Sequence, residues 1–260
     1  MKKFIHLFLC TALFFVMTAC SSKIDDKAID AYIEASAAFR EYKSLVYDAS
    51  TSFKMGSVLD ESFTMKGAYN AKKDTLDFKP GIYDTEDKEI ATLYVKDDFL
   101  YIQMLNEKIK YDLHAYLPLL ASIMQETKNT PIDKEEVKKQ LTSASLKNHT
   151  IHLKFDTKGI NDVLKTALEK EKELQEAGAS FSCTKLEVKE TLEDNKPVKL
   201  EYNLALLVTV QGQSQTLDVT FACTLSSINQ DVKIDFPKDL DTYTLTTFPI
   251  ENQIENTTNI

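Results

Sequence analysis

The chain has no tryptophan, only six glycines and six prolines, and a single arginine, Arg40, among its 260 residues. Proteins that bind nucleic acid usually present a basic, arginine-rich surface to the phosphates. Here 40 acidic residues face 31 basic ones, and the net charge is −9. We therefore predict no nucleic-acid partner, and the same balance argues against attraction to anionic lipid headgroups by charge alone.

The common catalytic motifs are also missing, because the sequence contains no Gly-x-Ser-x-Gly, no glycine-rich phosphate loop and no His-Glu-x-x-His. His149 and His152 are the nearest approach to a metal pair, but at this spacing on a strand the two rings face opposite ways. Solvated strand histidines are the favoured alternative. The pairs Asp25-Asp26 and Asp97-Asp98 stand where a helix cap and a turn need them. We predict no enzyme activity, no metal and no cofactor.

Only one long apolar run is present, from Phe4 to Met17, and its roughly 14 residues are too few to span a bilayer as a helix. Lys2 and Lys3 precede it, and Thr18 and Ala19 follow it. A basic start, a short apolar stretch and a small-residue end are the parts of a secretion signal.

The end of that signal, Met17-Thr18-Ala19-Cys20, resembles the motif of bacterial lipoproteins, with Met17 in place of the more usual leucine. The resemblance implies cleavage after Ala19 and a diacylglyceryl thioether on Cys20. The alternative is an ordinary signal with an incidental Cys20. We predict a signal peptide over 1–19, a lipidated cysteine and tether over 20–27, and a lipid anchor in the cell membrane that holds the protein on the extracytoplasmic face. Cleavage removes two basic residues and no acidic ones, which leaves a net charge of −11.

The first half of the remaining chain shows a helical and then an alternating pattern. Asp25 or Asp26 can cap a helix whose apolar stripe begins at Ile29 and includes Phe39. Strands joined by short turns follow to about residue 113, with turns expected at Lys79-Pro80-Gly81, 84–88 and Asp97-Asp98.

In the second half, helices are predicted around 116–124, from Pro131, and from Thr157 to Gly178. Strands are predicted over 145–156, 182–190, 198–210, 214–225 and 231–236, and a flexible tail over 249–260. The two hairpins near the end place Cys183 opposite about Leu206 and Cys223 opposite about Glu201. At these positions the thiols are beyond disulfide reach, so two buried free cysteines are favoured over a disulfide.

Helices grouped against antiparallel strands predict an α+β fold. The element order, including the meander YVKDDFLYIQMLNEKIKYDL, resembles the lipoprotein-carrier (LolA-like) fold. The resemblance implies one domain over 28–248, in which a curved antiparallel sheet wraps round a few helices as a half-open barrel. It also implies a concave apolar cavity, which in some members of the family binds acyl chains or whole lipids and in many others has no known ligand.

Alternating apolar residues in three of the predicted strands are the candidate ligand-binding positions. They are Leu100, Ile102, Met104, Leu204, Leu206, Val208, Val219 and Phe221. The alternative is that the same residues form a filled core. We predict a monomeric, membrane-anchored, non-enzymatic binding module for a lipid or other apolar ligand. The alternative function is an interaction lipoprotein with a filled core that binds an envelope protein or peptide.

Overall fold

A computed structural model describes residues 24–71, 76–104, 107–114, 131–168 and 178–246, and in them it has three α-helices, one short 3-10 helix (Leu240–Thr242) and twelve strands. The helices are α1 (Asp26–Arg40), α2 (Lys134–Lys139) and α3 (Lys158–Leu168). The strands are β1 (Ser44–Met55), β2 (Leu59–Ala71), β3 (Leu76–Tyr83), β4 (Glu89–Lys96), β5 (Phe99–Met104), β6 (Glu107–Asp112), β7 (Leu141–Lys147), β8 (Thr150–Phe155), β9 (Ser180–Glu193), β10 (Lys196–Val210), β11 (Gln213–Ser226) and β12 (Thr244–Thr246).

The described strands form one curved sheet in the order β12-β6-β5-β4-β3-β2-β1-β11-β10-β9-β8-β7. Neighbouring strands are antiparallel throughout, except that β12 runs parallel to β6. The strand order does not close, so β12 and β7 are two separate edges. The predicted α+β class, with a half-open antiparallel sheet and a few helices, is confirmed.

Tight turns with left-handed backbone connect four of the strand pairs. Both turn residues have positive φ at Asp97-Asp98, Asn148-His149, Asp194-Asn195 and Gln211-Gly212. This conformation matches the twist of a two-residue hairpin, and Asn, Asp and Gly adopt it at low cost. The single strand predicted over 145–156 is wrong, because the chain turns at Asn148-His149 and forms the hairpin of β7 and β8.

Helix α1 covers the β7–β10 end of the sheet and defines what we call the inner face. The Asp25 carboxylate caps the helix by accepting a 3.0 Å hydrogen bond from the Lys27 backbone N–H. Ile29 is fully buried, whereas Phe39, expected on the same buried stripe, is 42% exposed. The helix packs with inward residues of three strands, Ala144, Ile151, Leu153 and Val188. None of the described helices is long and apolar enough to cross a membrane.

The chain before α1 is attached to the edge of the sheet. Ile24 forms a parallel β-bridge with Ala144 of β7, and the Asp25 N–H donates a 3.1 Å hydrogen bond to the Ala144 carbonyl. Because the bridge is parallel, the chain reaches Ile24 from the side of the sheet where β7 begins.

A C-terminal strap, residues 229–243, crosses the opposite, outer face. Its first residues bind β1, where the Ser44 hydroxyl donates to the Gln230 carbonyl at 2.6 Å. Farther along, Phe236 contacts Tyr94 and Tyr243 packs edge-on against Tyr101. The strap then continues into β12 at the far edge. The short strand predicted over 231–236 is therefore wrong, since this stretch is irregular and holds the outer face through side chains.

Two smaller expectations are also corrected. Lys79-Pro80-Gly81 lies inside β3 and not in a turn, at a point where the pairing of β3 with β4 is interrupted between Phe78 and Gly81. A proline, which has no N–H to donate, is tolerated at such a gap. Helix α2 starts at Lys134 with Asp133 as its N-cap, not at Pro131. The helix predicted at 116–124, the end of the helix predicted to Gly178, and the tail from 249 fall outside the described residues.

Candidate functional site

The eight predicted ligand-binding residues all lie on the inner face. In β10 and β11, Leu204 pairs with Val219, and Tyr202 pairs with Phe221. Ile102 of β5 pairs with Leu93 of β4. Following the register across each intervening strand keeps these positions on the side that α1 covers. The eight form two groups, because β5 and β11 are five strand spacings apart, roughly 24 Å along the sheet.

All eight side chains are partly exposed to solvent. Met104 is the most exposed, at 51%, and the other seven are intermediate. By contrast, Ile29, Ile151 and Leu153 beneath α1 are fully buried. The inner face therefore has a tightly packed part under α1 and an accessible apolar part on β5, β10 and β11.

Three aromatic pairs lie on the inner face between and beside the two groups. Phe53 and Phe63 stack with ring centroids 6.0 Å apart, and Tyr47 and Phe78 stack at 6.1 Å. The Tyr202 ring is tilted against Phe221 at 5.7 Å. Tyr47 of the second pair packs directly on Gly67, where a Cβ would lie only 2.6 Å from the Tyr47 hydroxyl. Large rings of this kind bury much apolar area and suit a surface that contacts hydrocarbon.

Glu190 is a buried carboxyl group on the same face, next to the packed part. It is only 6% exposed and lies opposite Leu200 of β10 and Ile151 of β8. Burial raises its pKa to about 7, because the charged form is poorly solvated there. Burial also raises the pKa of Tyr42 to about 12, with a further contribution from the Glu190 charge.

The two cysteines are buried and free, as predicted. Cys183 pairs with Leu206, as expected, and Cys223 pairs with Leu200 and not with Glu201. Burial raises the pKa of both thiols, so they are protonated at neutral pH, and a protonated thiol is a poor nucleophile.

Within the described residues, no group of three or more His, Cys, Asp or Glu side chains is placed to hold a metal ion. His149 belongs to a turn and not, as predicted, to a strand. His152 lies on the outer face, with its Nε2 atom 4.0 Å from Glu187. These groups do not converge on a common point.

Two clefts, of about 480 and 470 Å³, lie where the strap meets the outer face. The first is lined by Lys96 and strap residues around Phe236. The second lies between Asp48, Lys66 and the strap near Ile234. Neither cleft contains any of the eight predicted residues.

Two residues of this region were missed by sequence reasoning. Glu190 stands at an inward position between Val188 and Leu192, so strict alternation could have identified it as a buried acid. Asn161 of α3 binds the Cys183 backbone twice, accepting from its N–H at 2.6 Å and donating to its carbonyl at 3.1 Å. No sequence signal connects these two positions.

No protein-family model matches the chain, and a search of curated proteins gives no match. Among solved structures, the lipoprotein LppX from Mycobacterium tuberculosis has a TM-score of 0.42 at 12% identity, covering 81% of this chain and 100% of that one. A LolA superfamily protein from Nitrosomonas europaea has a TM-score of 0.27 at 9% identity, covering 82% and 97%. A DUF1329 family protein from Desulfovibrio piger has a TM-score of 0.27 at 10% identity, covering 82% and 96%. Similarity at this level carries no conclusion about ligand or activity.

Proposed function

We propose that the chain is a lipoprotein anchored through Cys20 on the extracytoplasmic face of the cell membrane, and that it binds a lipid or other apolar ligand without catalysis. The observation that carries the proposal is the accessible apolar part of the inner face, where all eight predicted residues remain partly exposed. The signal pattern that ends at Cys20 supports the anchor.

An acyl chain is the ligand that such a surface fits best. Each CH₂ group removed from water contributes about 0.8 kcal/mol, so even part of a chain along β10 and β11 gives measurable affinity. The face offers side chains that adapt to an irregular ligand, namely Met104 and the Tyr202–Phe221 pair. Two acyl groups on Cys20 would hold the protein at the source of such molecules.

A second candidate is an interaction lipoprotein that binds an envelope protein or peptide. The two clefts favour it, because they lie at the strap and not at the eight inner-face residues. An inner face that takes up no apolar ligand would make this the working hypothesis.

The proposal is tested by titrating the domain, residues 21–260, with a fatty acid that carries an environment-sensitive fluorophore. Leu204→Asn places an amide on the inner face, and Leu207→Asn makes the same change on the outer face of the same strand. We expect Leu204→Asn to weaken binding about tenfold, which corresponds to about 1.4 kcal/mol, and Leu207→Asn to leave it unchanged. Equal affinities for both variants, or no binding by the parent protein, would contradict the proposal.

A further inference from the structure

Two neighbouring hairpin turns at one end of the sheet are uncharged, and each has an exposed valine in it or directly beside it. Val58 in the β1–β2 turn is 70% exposed, and Val210 at the β10–β11 turn is 41% exposed. No charged residue occurs between Lys54 and Asp60, nor between Glu201 and Asp218, in a chain that is 27% charged. Val58 belongs to its turn, where polar residues are more usual, and Val210 is the last residue of β10, next to the turn at Gln211-Gly212.

The two turns form one continuous surface, which we call the apolar tip. Strands β1 and β11 are paired, with Lys54 opposite Asp218, so the two hairpins are neighbours and their turns point to the same end of the sheet. A Cβ on Gly56 would lie 3.8 Å from the side-chain oxygen of Gln215, so the β1–β2 turn lies beside the part of β11 that leads into the β10–β11 turn. The opposite end of the sheet differs, because its turns at Asp97-Asp98 and Asp194-Asn195 are acidic.

The segment that precedes α1 reaches the sheet from the same end as the apolar tip. Ile24 is paired in parallel with Ala144, so the chain arrives from the side where β7 begins. The antiparallel order of the strands between β7 and β1 puts the start of β7, the end of β10 and the end of β1 at that same end. Cys20 is four residues before Ile24, and four residues span at most about 14 Å. A lipid on Cys20 therefore keeps the β7 edge of this end close to the bilayer, and β1 lies roughly 24 Å farther along the sheet at the same end.

We propose that the apolar tip contacts the bilayer, so that Val58 and Val210 insert at its surface and the inner face opens toward the membrane. The inference rests on the proposed anchoring at Cys20. A membrane is the occupant that the short tether brings to this surface. The nearby turn 84–88 contains Asp84, Glu86 and Asp87, so contact is expected to be stronger with zwitterionic than with anionic lipid.

The absence of native tryptophan makes the test direct, since an introduced tryptophan is the only one in the chain. The lipidated protein is reconstituted in phosphatidylcholine liposomes, with or without bromine on the acyl chains, as Val58→Trp, Val210→Trp and Lys147→Trp. Lys147 is the matched control, because it is exposed on β7, the strand that pairs with Ile24, but at the opposite end. Circular dichroism confirms that each variant is folded.

We expect Val58→Trp and Val210→Trp to lose about half of their fluorescence or more in brominated liposomes, with a blue-shifted emission, and Lys147→Trp to lose little. Equal quenching at both ends, or none at Val58 and Val210, would overturn the proposal. A blue shift that needs no liposomes and grows with protein concentration would assign the tip to a second copy of the chain and would also overturn it.

Failure of this inference is separable from failure of the proposed function. Protein that does not float with liposomes lacks the anchor, and both proposals about the membrane then fall. If the protein floats and binds the fluorescent fatty acid but shows no quenching at the tip, only the proposed orientation is refuted. If the tip is quenched but the protein binds no fatty acid, the proposed orientation is supported and the proposed ligand is refuted.

Discussion

The Tyr42 hydroxyl donates a 2.9 Å hydrogen bond to the backbone carbonyl of Pro197, across 155 positions of the sequence. Tyr42 follows the C-terminus of α1, and Pro197 is the second residue of β10, just after the β9–β10 turn. Both side chains are buried. This contact fixes the end of α1 over the inner face, beside Glu190.

Tyr42→Phe removes that hydrogen bond and leaves the Pro197 carbonyl without it. We expect the free energy of unfolding to fall by about 1–2 kcal/mol, as for a lost bond to a buried acceptor. Urea unfolding measures the change, with Ser57→Ala in an exposed turn as the control. An unchanged midpoint for Tyr42→Phe would mean that the contact does not hold α1.

Glu190 predicts a pH dependence of stability with a definite sign. Its pKa is about 7 in the folded protein and 4.5 ordinarily, so the folded state binds the proton more tightly than the unfolded state. Stability must therefore fall as the pH rises from about 4.5 to about 7, by about 3 kcal/mol in all. Glu190→Gln should abolish this component and be the more stable protein at pH 8.

The matched control is Glu201→Gln on the neighbouring strand, whose side chain lies on the outer face next to Lys199. It should keep the pH dependence of the parent protein. Unfolding at pH 5 and pH 8 separates the two variants, and a Glu190→Gln profile parallel to that of the parent would contradict the burial of this carboxyl.

Gly67 is required by close packing and not by its backbone conformation. An alanine Cβ would collide with the Lys79 carbonyl and with the Tyr47 ring. We expect Gly67→Ala to destabilise the protein by about 1–3 kcal/mol, the usual range for overpacking. Gly159→Ala in α3 is the control, because a Cβ there meets nothing within 4 Å, and it should stabilise by up to about 1 kcal/mol. If thermal unfolding showed that Gly67→Ala and Gly159→Ala shift the stability in the same direction, this explanation of Gly67 would be refuted.

Asn161 replaces a missing strand neighbour for Cys183. The pairing of β8 with β9 ends at Lys154 and Glu187, and the Asn161 side-chain amide hydrogen-bonds both backbone groups of Cys183. Asn161→Asp keeps an oxygen that accepts from the Cys183 N–H, but it loses the N–H donor to the Cys183 carbonyl and adds a negative charge. We therefore expect the free energy of unfolding to fall by about 2–3 kcal/mol. Exchange of the Cys183 amide proton, followed by NMR, should speed up in the variant. Unaltered protection would show that α3 does not support this strand.

Local pattern predicted the antiparallel part of the fold well. The turn at Gln211-Gly212 and the alternation on both sides of it define the β10–β11 pairing, and the pairing of Cys183 with Leu206 followed from the neighbouring turn. The turn at Asn148-His149 was missed because it contains neither glycine nor proline, and the alternation continues on both sides of it.

Contacts between distant residues were beyond this kind of reasoning. Residues 231–236 of the strap were wrongly predicted as a strand. The contacts that hold the strap, Phe236 with Tyr94 and Tyr243 with Tyr101, join positions that no sequence periodicity relates. The shared face of the eight candidate residues was predictable from alternation. Their partial exposure was not, since it depends on how far α1 extends over the sheet.

Mass spectrometry of organic extracts is the most direct test of whether the domain binds a lipid. The domain, residues 21–260, is purified from bacterial cells, and a second sample is incubated with lipid vesicles before extraction. We predict a lipid that co-purifies in a fixed molar ratio and is reduced in Leu204→Asn but not in Leu207→Asn. Extracts that contain no lipid above the level of a control protein, before and after incubation, would contradict it.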